Sequence, residues 1–183
     1  MRDPAGIPGG VSALGGRGDR TPEQGPVLAE PLPLVVVLDN LRSAFNVGSI
    51  FRTSEAARVG DLLLCGITPY PPHPQLDRTG LGTVDRVRWR HIVSTLEAVR
   101  ELREAGVPVW AVEVAEGARS LREVVFPQPV AVIFGHETAG IGPEVMGEVN
   151  GVVEIPLYGR KNSLNVASAY AVVIFEILRQ WGY

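Results

Sequence analysis

Val130-Ala131-Val132-Ile133-Phe134 runs without a break into Gly135-His136-Glu137-Thr138-Ala139-Gly140-Ile141. An apolar run with no polar alternation suits a strand buried on both faces, and a glycine directly after it lets the chain turn sharply. Leu34-Val35-Val36-Val37-Leu38 repeats the pattern earlier in the chain. A helix over roughly Asn46 to Arg58 follows it, with Gly60 as its stop, and then a second apolar strand, Asp61-Leu62-Leu63-Leu64-Cys65. Strands alternating with helices imply an α/β fold, a mostly parallel sheet with helices on both faces.

The remaining elements fit that frame. Pro69 to Pro74 reads as a proline-rich loop, too stiff and donor-poor for regular structure. Val84 to Arg90 is expected as a short strand with Arg86, Arg88 and Arg90 on one face. Ser94 and Glu97 have the spacing of a capping box before a helix through Arg103, closed by Gly106. Val107 to Val114 and Val152 to Ile155 are further strands, and Pro143 suits the first residue of a short helix. A final apolar helix runs from Val166 to about Trp181, with Ser163 or Asn165 as its cap. The ordered domain spans residues 32–183, and residues 1–31, rich in Gly and Pro, form a flexible tail. The Arg17-Gly18-Asp19 triplet in that tail is a chance match to an adhesion tripeptide.

Composition narrows the class. The chain has 183 residues, enough for one domain with a real core, and its 45% hydrophobic and 20% charged residues are a soluble globular balance. No apolar run approaches the roughly 20 residues of a membrane helix, and Met1-Arg2-Asp3-Pro4 lacks an apolar signal segment. Cys65 is the only cysteine, which excludes an intrachain disulfide and a thiolate metal cluster; its leucine neighbours imply a small buried hydrophobe. His73, His91 and His136 show no metal-ligand spacing, so no metal is expected. These features fit a cytoplasmic protein. A net charge of −3 does not advertise a nucleic-acid binder, but basic residues cluster at Arg42, Arg52 and Arg58, at Arg86, Arg88 and Arg90, and at Arg160 and Lys161.

Glycine-containing strand ends are where a parallel sheet binds ligands, because helix N-termini and free backbone amides gather there. No strand is followed by G-x-G-x-x-G, and the phosphate-loop pattern fails because Ile141-Gly142 follow Gly140 in place of Lys-Ser. Nucleotide hydrolysis and NAD chemistry lose their main support. Taken singly, Asn46, Ser163 and Asn165 are ordinary helix caps, Arg52 a surface residue and Glu137 a solvated turn residue. Their joint occurrence with the intervening glycines demands another reading.

Three blocks supply it: Asn46-Val47-Gly48-Ser49-Ile50-Phe51-Arg52, Gly135 to Ile141, and Ile155-Pro156-Leu157-Tyr158-Gly159 running into Ser163-Leu164-Asn165-Val166-Ala167. In this order they resemble the three motifs of the SpoU (TrmH) branch of the SPOUT RNA methyltransferases, over about Leu34 to Gln180. The resemblance implies a C-terminal trefoil knot, S-adenosyl-L-methionine bound in it with S-adenosyl-L-homocysteine as product, a homodimer, and methyl transfer to a ribose 2′-hydroxyl of tRNA or rRNA. Carried over residue by residue, it makes Asn46, Arg52, Glu137, Ser163 and Asn165 the catalytic set. Gly135, Ile155, Leu157, Gly159 and Leu164 fall on cofactor positions, and the loop after Val112-Glu113 is a softer match to a further cofactor-lining segment, with Glu113 as its candidate. His136 and Thr138 occupy variable slots, and Ala167 replaces a frequent Ser.

The chemistry suits these residue types. The methyl of a sulfonium is already activated, so the protein has chiefly to align an oxygen behind it. A neutral ribose hydroxyl is a poor nucleophile, so its developing charge must be stabilised or its proton removed. Arg52 is the candidate to face that oxygen. As a guanidinium stays protonated, donation to the incipient alkoxide, or proton transfer through an RNA phosphate, is easier than a role as base. Arg86, Arg88 and Arg90 read equally as RNA-phosphate contacts and as a solvated strand edge. Two rival readings stand beside this one: a base methyltransferase of the same fold, and a non-catalytic RNA-binding protein that retains the fold.

Overall fold

The strand Val130–Phe134 lies near the middle of a seven-stranded sheet, because its side chains are apolar on both faces and need cover on both. A computed structural model describes residues 30–136 and 138–183. Its strands are β1 (Leu34–Asp39), β2 (Asp61–Cys65), β3 (Trp89–Ile92), β4 (Val109–Val112), β5 (Arg119–Ser120), β6 (Val130–Phe134) and β7 (Gly151–Glu154). Their spatial order is β3-β2-β1-β6-β4-β7-β5, and every pairing is parallel. The helices are α1 (Ala44–Ala57), α2 (Pro74–Gly80), α3 (Thr95–Glu104), α4 (Pro143–Met146) and α5 (Val166–Gln180).

The period of two along each strand splits the core into two layers. Val36, Leu38, Val132 and Phe134 pack with Val47, Ile50 and Phe51 of α1 and Tyr170, Val173 and Ile177 of α5. Val37, Ala131 and Ile133 point the other way, to Ala98, Val99 and Leu102 of α3 and Val145 of α4. Cys65 is fully buried in this second layer, and burial pushes its thiol up to about 12.

Several boundaries differ from the sequence reading, each for a local reason. Helix α1 begins two residues before Asn46, because Ser43 caps it and accepts from the Asn46 amide at 3.2 Å. The strand expected over Val84 to Arg90 is corrected to a 3-10 turn, Val84–Arg86, followed by β3. The three arginines there share no face: Arg86 pairs with Glu55, Arg88 with Asp61 and Arg90 with Glu101. Helix α2 was hidden by the prolines; Pro74 opens it and the His73 imidazole accepts from the Gln75 amide. The strand expected over Val107 to Val114 is confined to Val109–Val112, and β5 is too short to leave a sequence signal. The Ser94 cap, the Pro143 start and the Asn165 cap lie where the sequence puts them. The segment 1–31, apart from its last two residues, and with it Arg17-Gly18-Asp19, lies outside the described residues.

Candidate functional site

The register of the central strands sets the site. Val112 of β4 pairs with Phe134 of β6 and Val153 of β7, so three neighbouring strands end at one level. Their outgoing chains, Val112 to Val114, Phe134 to His136 and Glu154 to Leu157, wall a cavity of about 400 Å³. The start of α5 closes it with Ser163, Leu164, Asn165, Val166 and Ala169. Its size is within the roughly 300–1,000 Å³ usual for small-molecule sites.

Gly135 allows the second wall to fold back. A β-carbon there would lie 2.6 Å from Ile141 Cγ1 and 2.8 Å from the Gly140 carbonyl carbon, so the loop could not close on itself with any other residue. His136 shapes the same turn: its Nδ1 accepts from the amides of Thr138 at 3.1 Å and Ala139 at 3.2 Å. Gly140 has φ +66°, and a β-carbon on it would meet Glu113 Oε2 at 2.7 Å. Glu113 is fixed in turn by the Val114 amide, which donates to its Oε1 at 3.1 Å.

The third wall is tied to α1. Asn165 caps α5 by accepting from the Ala167 amide at 3.0 Å, and its Nδ2 donates to Asn46 Oδ1 at 3.1 Å. Behind this link, the hydroxyls of Ser54 on α1 and Tyr170 on α5 are 2.5 Å apart and fully buried. Burial raises the Tyr170 phenol well above its ordinary value, so it stays neutral. Phe134 packs on the Tyr170 ring at 5.2 Å, so one aromatic pair braces the cavity floor against both helices.

Of the residues expected to bind a cofactor, Glu113, Gly135, Ile155, Leu157 and Leu164 line the cavity; Gly159 does not. Of the expected catalytic set, Ser163 and Asn165 line it, and buried Asn46 stands one hydrogen bond behind. Arg52 is elsewhere: six residues from Asn46 along a helix it projects about 120° away, on the exposed side of α1 with Phe45 and Ala56. Glu137 lies outside the described residues. The sequence reading missed Phe134, His136, Glu154, Val166 and Ala169 as lining residues. Phe134 and Glu154 had a usable signal, since each is the last residue of a strand that enters a motif. Among the described residues no group of three or more His, Cys, Asp and Glu could hold a metal ion.

The family model described as the SpoU rRNA Methylase family matches residues 33–175. The chain is 37% identical over 147 residues to the tRNA (guanosine(18)-2′-O)-methyltransferase of Thermus thermophilus, a match covering 80% of this chain and 75% of that protein. Among solved structures, an AdoMet-bound rRNA methyltransferase from Sinorhizobium meliloti superposes with a TM-score of 0.75 at 33% identity, covering 80% of this chain and 56% of the other. The SpoU methyltransferase AviRb from Streptomyces viridochromogenes, in complex with AdoMet, gives 0.73 at 26% identity, covering 85% and 62%.

Proposed function

The chain belongs to the SpoU rRNA Methylase family, and on that premise we propose that it transfers a methyl group from S-adenosylmethionine to a ribose 2′-hydroxyl of RNA. The observation that carries the reading is the cavity at the ends of β4, β6 and β7, with the polar pair Ser163 and Asn165 on a wall otherwise built by Ile155, Leu157 and Leu164. The residues suit the cofactor. Apolar walls of this kind accept an adenine, and two carboxylates, Glu113 and Glu154, line the same cavity and favour a positively charged ligand.

When bound, the cofactor supplies a methyl group activated by the positive sulfur. The protein's own part is alignment and charge. Asn165, held by Asn46 and by its capping bond, fixes the wall where a ribose would enter. Ser163 offers a hydroxyl that can donate to or accept from that ribose. Arg52 provides a permanent positive charge for the incipient alkoxide or for the adjoining phosphate. Glu137 belongs to the same motif-based set.

We further propose a homodimer. Arg52 lies on the exposed side of its own helix, so the reading gives it a natural target in the cavity of a second subunit. Exposed Phe45 on α1 and exposed Val172 and Phe175 on α5, two helices in contact, support such pairing, because exposed apolar side chains favour burial. The trefoil knot that the resemblance implies belongs to this reading as well. So does the division into a tail, residues 1–31, and a catalytic domain, residues 32–183. Named relatives act on tRNA and rRNA, which supports an RNA of one of these classes and a cytoplasmic setting.

The test uses methyl-labelled S-adenosylmethionine with unmodified tRNA and rRNA in parallel, followed by alkaline digestion. Alkali does not cleave after a 2′-O-methylated ribose. Label in resistant dinucleotides is the expected result and identifies the RNA class; label in mononucleotides would move the chemistry to a base.

A further inference from the structure

Tyr158 is an unusual side chain for its place. It follows Leu157 of the cavity wall, yet it is 79% exposed, although burying its ring would be favourable. One side of the ring is occupied: the guanidinium of Arg122 lies 5.4 Å from its centroid. Arg122 makes no ion pair among the described residues, and neither do Arg160 and Lys161, which follow two and three residues later in the same loop. By contrast, Arg86, Arg88 and Arg90 are each matched with a carboxylate. Arg122, Arg160 and Lys161 therefore keep charge to spare close to the cavity wall.

We infer that Tyr158, backed by Arg122, is a stacking seat for a base of the RNA substrate next to the nucleotide being methylated, with Arg160 and Lys161 on its phosphates. The inference rests on the methyltransferase reading. A ribose can enter the cavity only if its strand is locally opened, and an unstacked base then needs a planar partner. Aromatic rings and guanidinium planes supply that partner without regard to base identity. The local charge selects RNA over a second copy of this chain, whose own Arg122, Arg160 and Lys161 would be brought close to like charges on a shared seat.

The test begins with the RNA class that the wild-type protein labels when offered unmodified tRNA and rRNA. RNA dissociation constants are measured by filter binding with S-adenosylhomocysteine present, for wild type, Tyr158→Ala, Tyr158→Trp and Tyr158→Leu. Cofactor affinity is measured separately by calorimetry. The seat predicts an RNA affinity about tenfold weaker for the alanine variant, within the range of a lost base–aromatic stack. KM for RNA should rise in parallel, tryptophan should restore binding where leucine does not, and cofactor affinity should hold. Replacing Arg160 and Lys161 together by alanine should flatten the salt dependence of RNA binding by roughly 0.7 to 0.9 in log–log slope per charge. Unchanged RNA binding by Tyr158→Ala overturns the seat, as does equal rescue by leucine, a loss of cofactor affinity, or a change in oligomeric state by sedimentation. Those outcomes leave the activity standing; labelling of neither RNA by the wild type overturns the activity and the seat together.

Discussion

Asn165 donates its side-chain amide to Asn46 across 3.1 Å, joining the first residue before α5 to the buried side of α1. The same carboxamide caps α5 through the Ala167 amide, so one residue serves both the helix and the cavity wall. The two duties are separable. Asn165→Asp keeps the capping oxygen and loses the donor to Asn46, whereas Asn165→Ala loses both. Thermal unfolding should show the alanine variant weaker by about 1 kcal/mol, the usual value of a cap, with aspartate close to wild type. Methyl transfer should fall at least tenfold in both; aspartate turnover at the wild-type level would leave the residue as a cap alone.

Arg52 offers the opposite dissociation. It is exposed and makes no hydrogen bond or ion pair among the described residues, so Arg52→Ala should change stability by no more than about 0.5 kcal/mol. Cofactor affinity should stay within about twofold by calorimetry, since the residue is not part of the wall. Transfer to RNA should be abolished. Unchanged turnover would remove Arg52 from the chemistry.

Leu164 is 43% exposed and lines the cavity, so a charged replacement can be accommodated by the fold but not by the apolar wall that would hold the adenine. Leu164→Glu should weaken S-adenosylmethionine binding by tenfold or more and leave the melting temperature of the cofactor-free protein nearly unchanged. Normal affinity would mean that the cofactor binds elsewhere.

The Ser54–Tyr170 pair predicts an asymmetry. Ser54 also donates to the Ile50 carbonyl at 2.7 Å, so Tyr170→Phe leaves it with a partner and should cost about 1 kcal/mol. Ser54→Ala strands a buried phenol, and should cost more, about 1–3 kcal/mol. Denaturant unfolding of the two variants gives the order directly; the reverse order would show that the phenol finds another acceptor.

Cys65 gives a pH signature. Desolvation by burial raises its thiol to about 12, so the native protein should resist thiol reagents at pH 8 and react with one equivalent when unfolded. With a folded value above the unfolded one, the neutral thiol contributes fully below pH 9. That stability is lost as pH rises from about 9 toward 12, because the unfolded chain ionises first. A Cys65→Ala variant should lack this alkaline component in pH-dependent unfolding.

The sequence carried most of the sheet because a strand buried on both faces writes itself as an uninterrupted apolar run. Val130–Phe134 and Asp61–Cys65 needed no further information. Helix α2 was hidden because proline is a breaker by default and only Leu76 and Gly80 of the helix are buried, leaving no stripe to find. Its evidence lay elsewhere, in Gly48: a side chain there would collide with Thr79, so the glycine marks the close approach of α1 and α2. Spacing within motifs located the cavity residues, whose backbone sits on strand ends. Six residues of helix already turn Arg52 about 120° from Asn46, but which of the two faces the sheet depends on the phase of α1, which spacing does not give. Nor could spacing show that the three arginines near β3 are neutralised, as their partners Glu55, Asp61 and Glu101 come from other elements.

The strand order has a consequence for how the chain assembles during synthesis. β1, β2 and β3 are neighbours in sequence and in space, so this edge of the sheet can pair as it emerges. The other partner of β1 is β6, made much later, and until it arrives one side of Val35 to Leu38 has no ladder to join. Long-range parallel pairing of this kind slows folding and prolongs the exposure of sticky edges. The ligand cavity is built entirely from residues made after β3 and is finished only when the first turn of α5 has closed. A nascent chain therefore offers no ligand site before its fold is almost complete, and a ligand that binds there stabilises the finished product over every partial one.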